Sequence, residues 1–266
     1  MKQIKQWLSR HNRKRLDRRN RAMFAQLTAD GVVYLNPIDL KGIDLAIVGP
    51  ASTVIEELIS YPIGPETWVC RMNNGVRQAD ENPKVFGDRT DIWIHNLKMK
   101  GTRSVQNISA ATLASHRVRY VVYPHAASPE HIAPKLLQLR KATHDTKGVV
   151  PPIDFYQTLV ADLGGHTPTA GCVMIMLALQ ASLKSLSIYG FTFFQTSYTR
   201  GYNDTVKDGQ AAMNWAMATG MHNPEAEAKL VAQRITKHRK SNGFPIHLGD
   251  GVKTALNSHS NDILED

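Results

Sequence analysis

The chain has 266 residues, 42% of them hydrophobic and 21% charged, with a formal net charge of +9. This length suffices to bury a substantial core in one large domain or two small ones. No run approaches the roughly 18 apolar residues that span a bilayer, and no apolar secretory signal opens the chain, so we expect a cytoplasmic protein. Cys70 and Cys172 lie far apart without metal-ligand spacing, which indicates core thiols and argues against a disulfide-built secreted fold.

The first 21 residues carry nine Lys or Arg and only Asp17 as an anion, so eight of the nine net positive charges lie there. Apolar residues interleave with these cations, namely Ile4, Trp7, Leu8, Leu16, Met23, Phe24 and Leu27. The pattern predicts a basic amphipathic segment, residues 1–30, whose first 27 residues contact an anionic membrane. RNA binding uses the same electrostatics, and a solvated tail is a third interpretation.

Short apolar runs then alternate with longer helical patterns, which is typical of βαβ units. The predicted strands are residues 44–49, 67–72, 90–96, 119–124 and 185–194. The clearest predicted helices are residues 128–142, 153–163, 171–183 and 222–238. Turns or linkers are predicted at "PIGPE" (62–66) and "KGVVPP" (147–152). The sequence therefore predicts the α/β class, with a single Rossmann-like, doubly wound, mostly parallel sheet over residues 40–258.

Polar residues follow the second predicted strand, where "RMNNGV" places Arg71, Asn73 and Asn74. In sheets of this kind, ligands bind beyond the carboxyl ends of the strands. We therefore expect these residues to contact a ligand, together with the loops "GPAS" (49–52) and "GFTFF" (190–194).

Several familiar motifs are absent from the sequence. There is no G-x-G-x-x-G after the first strand, no G-x-x-x-x-G-K-[ST] and no G-x-S-x-G, which disfavours dinucleotide oxidoreductases, P-loop NTPases and serine hydrolases. There is also no D-x-D pair to hold a divalent metal against a diphosphate. An enzyme acting on a sugar nucleotide is then expected to use no metal and a donor with one phosphate.

Two predicted helix starts carry candidate site residues. In "HTPTAGCVMIM", Thr169, Ala170 and Gly171 open an apolar helix whose N-terminus favours a carboxylate or phosphate, although Thr169 as a simple cap is the alternative. In "MHNPEAEAKL", His222 lies just outside a helix start and Glu227 about one turn inside it. The helix dipole disfavours a cationic histidine there, which suits a general base, and a purely structural histidine is the alternative.

Four motifs in this order resemble those of the animal-type sialyltransferase family. Its large motif, with R-M-N and G-x-[KR]-T, is similar to Arg71–Met72–Asn73 and to Gly87, Arg89 and Thr90. Its small motif is similar to the stretch from Pro168 and Gly171 to Tyr189–Gly190–Phe191, and its H-x-x-x-x-E motif to His222 and Glu227. The resemblance covers residues 44–240.

The resemblance implies a role for each matching residue. Asn73 would contact the ribose or phosphate of a CMP-sugar donor, the backbone of residues 169–171 its carboxylate or nucleotide, and Gly190 its cytidine. His222 would be the general base and Glu227 would support its segment. The implied activity is that of an inverting, metal-independent glycosyltransferase without a cofactor beyond the CMP-sugar donor.

The sequence also departs from the family pattern. Pro50 replaces an expected Asn, so that donor contact is either missing or supplied by Ser52 or Asn74. The two cysteines do not match the family's disulfide positions. The region before His222 reads "QTSYTRGYND" and lacks the expected histidine, which leaves Tyr198, Arg200 and Tyr202 as candidate phosphate donors. The donor sugar is therefore expected to be sialic acid or another 2-keto acid such as Kdo.

The acceptor expected from these observations is a glycan, lipid-linked or of the lipopolysaccharide type, reached from the inner face of the membrane through the basic segment. Two other interpretations remain from the sequence. One is a nucleic-acid-binding protein that uses the basic arm on a Rossmann-like scaffold, although the leading interpretation expects no nucleic acid. The other is a methyltransferase, which the missing glycine-rich cofactor loop disfavours.

Overall fold

Seven strands form one sheet at the centre of the protein. The computed structural model describes residues 2–31, 33–100, 105–143, 146–218 and 220–259. The strands are β1 (Asp44–Val48), β2 (Trp68–Met72), β3 (Ile92–Ile94), β4 (Tyr120–Val122), β5 (Lys147–Val149), β6 (Ser185–Tyr189) and β7 (Ile246–Leu248). The helices are α1 (Lys2–Ala29), α2 (Val54–Ser60), α3 (Gly75–Glu81), α4 (Pro83–Phe86), α5 (Ala110–Ser115), α6 (Pro129–Thr143), α7 (Ile153–Asp162), α8 (Ala170–Ala178), α9 (Gly209–Met217), α10 (Pro224–Lys240) and α11 (Asp250–Asn257), with a 3-10 turn at Pro37–Leu40.

The strand order is β5-β4-β3-β2-β1-β6-β7, and every pairing between these strands is parallel. The chain winds outward from β1 to β5 on one side and then returns to place β6 against β1 on the other. This reversal makes the carboxyl ends of β1 and β6 a topological switch point, where doubly wound sheets bind ligands. The predicted α/β class and doubly wound sheet are confirmed.

Both faces of the sheet are packed, which explains the run of consecutive apolar residues in its central strand β1. In β1, Leu45 and Ile47 belong to the larger core, while Ala46 and Val48 face a smaller one with α2 and α4. A parallel sheet covered on both sides needs apolar residues at consecutive positions, and "LAIV" supplies them. The larger core includes α8, in which residues 171–178 are all buried.

The prediction of a linker at residues 147–152 is wrong in its first half, because Lys147–Val149 is the edge strand β5. The stretch reads as a turn because it is short, contains Gly148 and ends in two prolines. The glycine is needed, since a Cβ there would lie 2.9 Å from the Leu139 side chain of α6. The strand β7, also at an edge and three residues long, is missing from the predicted elements.

The basic helix α1 packs across α6 through its second half. Arg21 forms an ion pair with Glu130, with 3.0 Å between Nη2 and Oε1. Leu27 is buried in a small cluster with Val33 and Leu136, and Met23 and Phe24 pack against the same cluster. These apolar side chains therefore pack inside the protein. The amphipathic interpretation expected them on an outer apolar face of the helix.

The middle of α1 presents charge to solvent. Between residues 11 and 19 all side chains are exposed except that of Asp17, which is half-buried, and Leu16 is 53% exposed. The side chains of Ile4, Trp7 and Leu8, on which the amphipathic prediction also depends, lie outside the described part of the chain. Among the described residues, no helix combines the length and the apolar character needed to cross a bilayer.

Candidate active site

A cleft of about 510 Å³ lies at the carboxyl edge of the sheet, a size suited to a small-molecule ligand. Residues that follow β1, β2, β3, β4 and β6 line it, together with the first turns of α8 and the segment that leads into α10. The cleft therefore extends from the switch point between β1 and β6 across the ends of the next three strands.

The floor of the cleft is a close approach between two backbone segments at the switch point. The Gly49 N–H donates to the Tyr189 carbonyl at 2.7 Å, and the Ala51 N–H donates to the Gly190 carbonyl at 3.0 Å. Gly190 has a φ of +67°, and a Cβ there would lie 2.7 Å from the Gly49 oxygen. The buried carboxylate of Glu57 accepts the Gly190 N–H at 2.8 Å. Hydrogen bonds with Ala51 and Glu57 thus hold the loop that carries Gly190 in place.

Asn73 and Asn74 lie in the cleft at the end of β2. The Asn73 Oδ1 accepts the Asn96 N–H at 3.1 Å, and its Nδ2 lies 3.5 Å from the Tyr202 hydroxyl. The Asn74 Nδ2 donates to the Tyr202 carbonyl at 3.0 Å, and its Oδ1 accepts the Gln106 N–H at 2.9 Å. The two carboxamides therefore tie the ends of β2 and β3 to the loop after β6.

Arg71, the other polar residue of "RMNNGV", does not contact the cleft. Its side chain is fully buried on the opposite face of the sheet, over the Phe86 ring. Its Nε donates to the Thr90 hydroxyl at 3.1 Å, and its Nη2 donates to the Phe86 carbonyl. Burial lowers the pKa of Arg71 to about 10. The expectation of a ligand contact is wrong for Arg71, because side chains alternate along β2 and Met72 takes the cleft side.

The first turn of α8 lines the cleft and is also capped by Thr169. The Thr169 hydroxyl accepts the Cys172 N–H at 3.2 Å, as an N-cap does. The same hydroxyl donates to Glu227 Oε2 at 2.6 Å, and the Thr169 N–H donates to Glu227 Oε1 at 2.8 Å. Thr169, Ala170 and Gly171 all border the cleft, so the cap and the cleft wall are one feature.

Glu227 joins the N-termini of α8 and α10. It lies in the first turn of α10, is 1% exposed and also borders the cleft. Burial raises the pKa of Glu227 to about 7, and the two hydrogen bonds from Thr169 offset part of that rise. This carboxyl group therefore titrates near neutrality between two helix N-termini.

A Glu227→Gln substitution is expected to change how stability depends on pH. Because the pKa of Glu227 is raised in the folded state to about 7, its contribution to stability is full below about pH 4.5 and is lost as the pH rises through 7. The free energy of unfolding of the wild type, relative to Glu227→Gln, should fall by about 3 kcal/mol between these limits. Urea titrations at pH 4.5, 6 and 8 measure it.

The exposed Glu225 on the same helix supplies the control for this experiment. Glu225→Gln removes the same charge from solvent and should leave the pH dependence of the wild type intact. A Glu227→Gln protein whose stability parallels that of the wild type across this range would contradict the buried, near-neutral carboxyl group.

His222 borders the cleft two residues before α10 begins. The cap is Asn223, whose Oδ1 accepts the Ala226 N–H at 3.1 Å. The His222 Nδ1 lies 2.7 Å from the Thr167 carbonyl oxygen. Because a carbonyl only accepts, Nδ1 must carry the proton, and in the neutral ring Nε2 keeps its lone pair. This is the tautomer that a general base working through Nε2 requires.

The remaining predicted site residues divide into two groups. Tyr198 and Tyr202 border the cleft with their ring centroids 5.2 Å apart, and burial raises the pKa of Tyr202 to about 12. Ser52 and Arg200 do not line the cleft. The Ser52 N–H donates to the Ser197 carbonyl at 2.9 Å. Arg200 is exposed. The hydroxyl of its neighbour Thr199 instead donates to the Ala51 carbonyl at 2.8 Å.

His125 is a cleft residue that the sequence analysis missed. It follows β4 by three positions, and its Nδ1 lies 3.4 Å from the Tyr156 hydroxyl. Burial lowers the pKa of His125 to about 4, and the neighbouring His222 and His131 add to this effect. The same rule that pointed to Asn73, that polar residues beyond a strand end face the crevice, also applies to "YPHAA" and identifies it.

The charged residues of the cleft are few. Arg77 and Lys98 are exposed cations at its border, and Arg77 pairs with Glu81 at 2.8 Å. In the part of the chain that the structure describes, no three His, Cys, Asp or Glu side chains cluster in a way that could hold a metal ion.

The sequence matches no family model and no curated protein. Among solved structures, the chain is similar to a mammalian sialyltransferase in complex with Gal-beta-1-3GalNAc-ortho-nitrophenol, at 14% identity and a TM-score of 0.48, over 78% of this chain and 69% of that one. It is also similar to the sialyltransferase CstII from Campylobacter jejuni in complex with cytidine-5'-monophosphate, at 13% identity and a TM-score of 0.49, over 80% and 87%. A complex of CstII with CMP-3FNeuAc gives 12% identity and a TM-score of 0.47, over 79% and 87%.

Proposed function

We propose that this chain is a glycosyltransferase that moves a 2-keto acid sugar from CMP to a hydroxyl of a glycan. The proposal rests on one observation: residues from the motifs that resemble those of sialyltransferases border one cleft. Asn73, Gly190 and His222 come from distant parts of the sequence, yet all three border the same space at the switch point. The proposed general base therefore borders the same cleft as the proposed nucleotide contacts, which is the arrangement that glycosyl transfer by displacement needs.

His222 is the proposed base for the attack of the acceptor. As the acceptor oxygen bonds to the anomeric C2 of the donor, the bond from C2 to the phosphate oxygen breaks and CMP leaves with that electron pair. The hydroxyl proton moves to His222 Nε2. The imidazolium that results keeps its Nδ1–H on the Thr167 carbonyl, 2.7 Å away. Attack from the face opposite the phosphate inverts the anomeric configuration.

The donor is proposed to lie with its anionic groups toward two features of the cleft. The first turn of α8, at Ala170 and Gly171, offers the positive end of a helix dipole to the sugar carboxylate. Tyr198 and Tyr202, with rings 5.2 Å apart, are the proposed donors to the leaving phosphate. Both sialic acid and Kdo carry the carboxylate and the anomeric C2 that this arrangement requires.

The reaction is proposed to need no metal ion. The basis is the missing D-x-D pair and a donor that carries one phosphate, whose charge the hydroxyls of Tyr198 and Tyr202 would stabilise instead of a metal. Initial rates with and without EDTA measure this directly, and a loss of turnover on chelation would contradict it.

Release of CMP from CMP-sialic acid and from CMP-Kdo, with and without a glycan acceptor, tests the function. We expect release from at least one donor, accelerated by a glycan that ends in a free sugar hydroxyl. CDP- and UDP-sugars at the same concentration should give no release. Turnover of a UDP-sugar but of neither CMP-sugar would overturn the proposal.

The basic helix α1 is proposed to hold the enzyme at an anionic membrane, on its cytoplasmic face, near a lipid-linked or lipopolysaccharide-type acceptor. Met23, Phe24 and Leu27 pack against α6 and are not available to a membrane. Within the described residues of α1, the proposed membrane contact is therefore electrostatic. Exposed Arg and Lys residues along positions 13–19 provide it, at about 1 kcal/mol each near an anionic surface.

Replacing Arg13, Arg15, Arg18 and Arg19 with Gln is expected to weaken binding to anionic vesicles by about three orders of magnitude, since four charges are lost. Co-sedimentation with phosphatidylglycerol vesicles at low salt measures it, and turnover of a soluble acceptor should be unchanged. Arg21 is left in place because it pairs with Glu130.

The matched control replaces four exposed lysines outside α1, namely Lys41, Lys84, Lys229 and Lys237. It removes the same charge, and we expect vesicle binding to stay near that of the wild type. Equal losses in both variants would mean that net charge rather than α1 binds the membrane. Tight, salt-sensitive binding of RNA by α1, with no binding to vesicles, would favour the nucleic-acid interpretation.

A further inference from the structure

A buried tyrosine, Tyr156, contacts the ring of His125, the cleft residue that the sequence patterns did not predict. Tyr156, on α7, is 3% exposed, and its hydroxyl lies 3.4 Å from the Nδ1 of His125. A buried phenol needs an acceptor for its proton, and the ring nitrogen of His125 is within reach. If Tyr156 donates to Nδ1, the proton of the neutral imidazole lies on Nε2.

The surroundings of His125 favour the neutral ring. Tyr123 packs edge-on against it at 5.6 Å, and Tyr156 lies at 6.4 Å between ring centroids. Besides these two tyrosines, His131 on α6 and His222 before α10 act on this ring, and the positive form of each lowers the pKa of His125. A positive charge on His125 would be costly beside His131 and His222, so His125 borders the cleft as an uncharged group.

We infer that His125 is a hydrogen-bond donor for the acceptor, and that the preferred acceptor presents two neighbouring hydroxyls. Two imidazoles of opposite character face one cleft: His222 offers the lone pair of Nε2, and His125 offers an Nε2–H. One hydroxyl of a vicinal diol can give its proton to His222 while the adjacent oxygen accepts from His125. This inference rests on the proposed function and assigns the acceptor side of the same site.

His125 is then a specificity-determining residue, and Tyr156 is a positioning residue that acts through it. Loss of a hydrogen bond to a bound hydroxyl leaves a polar group without a partner, which weakens binding by about 5- to 100-fold. The effect should appear in the KM for the acceptor, since the donor and His222 are untouched.

The first test measures the ring of His125 itself and does not depend on turnover. Nitrogen-15 NMR of the histidine side chains in the whole protein should show His125 neutral from pH 6 to 8 with its proton on Nε2. Tyr156→Phe should mix the two tautomers. Tyr123→Phe removes an equally buried hydroxyl, which contacts His131 instead, and should leave the His125 signals unchanged. A proton on Nδ1, or a charged ring at pH 7, would overturn the assignment.

The second test compares acceptors. With a galactoside that has a free vicinal diol, His125→Leu should raise the acceptor KM by about 5- to 100-fold, and Tyr156→Phe by a smaller factor. His125→Gln, which offers an amide N–H near the place of Nε2, should recover part of the loss. With an acceptor that lacks the second hydroxyl, wild type and His125→Leu should perform equally.

These outcomes separate the inference from the proposed function. A wild type that releases no CMP from any CMP-sugar would refute the proposed function, and with it the role of His125 toward the acceptor. Normal transfer with an unchanged acceptor KM in His125→Leu would refute the inference alone. An equal loss with both acceptors would show that His125 shapes the cleft and does not read the second hydroxyl.

Discussion

His222→Ala is expected to lower kcat by about 10²- to 10⁴-fold, the usual contribution of a positioned general base. The reason is geometric. The Thr167 carbonyl lies 2.7 Å from Nδ1 and fixes the proton there, so the lone pair of the neutral ring is on Nε2 of a residue that borders the cleft. The proposed donor contacts at Gly190 and Asn73 are formed by other segments, so the affinity for CMP should change by no more than about twofold. Steady-state kinetics and calorimetry on the same protein preparation measure the two quantities.

His166→Ala is the matched control for this substitution. His166 lies in the loop before α8 and does not line the cleft. We expect its kcat to stay within about twofold of the wild type. A His222→Ala enzyme with near-normal kcat would show that another group takes the proton. A loss of CMP affinity that equals the loss of kcat would instead assign His222 to donor binding.

Gly190→Ala is expected to cost about 2 to 5 kcal/mol of stability and to weaken nucleotide binding at least tenfold. Two effects add. The residue has a φ of +67°, where a side chain is strained. Its Cβ would also lie 2.7 Å from the Gly49 oxygen and 2.8 Å from the Val54 Cβ. Relief of these contacts must part the loops after β1 and β6, which form the floor of the cleft.

Gly164 separates the two effects, because its φ is +65° and a Cβ there would have nothing within 4 Å. Gly164→Ala should therefore lose only about 1 to 2 kcal/mol, from the backbone conformation alone. Urea unfolding of both variants and titration with CMP compare them. If Gly190→Ala were no less stable than Gly164→Ala, the close approach of the two loops would not hold the floor of the cleft.

The central strands could be predicted from sequence because burial on both faces leaves them apolar at consecutive positions, as in "LAIV" of β1. The edge strands could not. β5 and β7 have three residues each, too few for a local pattern. They are strands because they pair with β4 and β6, as Lys147 does with Tyr120 and Ile246 with Leu186. Helix α8 ends at Ala178, five residues before its predicted end at 183.

Several cleft residues could be found from the rule that polar residues beyond strand ends face the crevice, and from helix starts. The strand-end rule places Asn73 and Asn74 in the cleft, and the predicted helix start places His222 there. The strand-end rule fails for Arg71, since it does not say to which face of β2 a side chain points. The contact between Thr169 and Glu227 joins residues 58 positions apart and has no sequence signature. The pKa of Glu227 and the tautomer of His222 depend on such contacts, so they required the structure.

A thermal-shift comparison of CMP, CDP, UDP, GDP and S-adenosylmethionine, with EDTA throughout, tests whether the cleft binds a CMP-sugar. A ligand at 100 times its Kd adds about 2.7 kcal/mol of stability, which for a chain of this size raises Tm by about 5 °C or more. We predict that CMP gives this shift, that it persists in EDTA and that it is reduced in Gly190→Ala. No shift with CMP, or a larger shift with GDP or S-adenosylmethionine, would contradict a CMP-sugar site in this cleft.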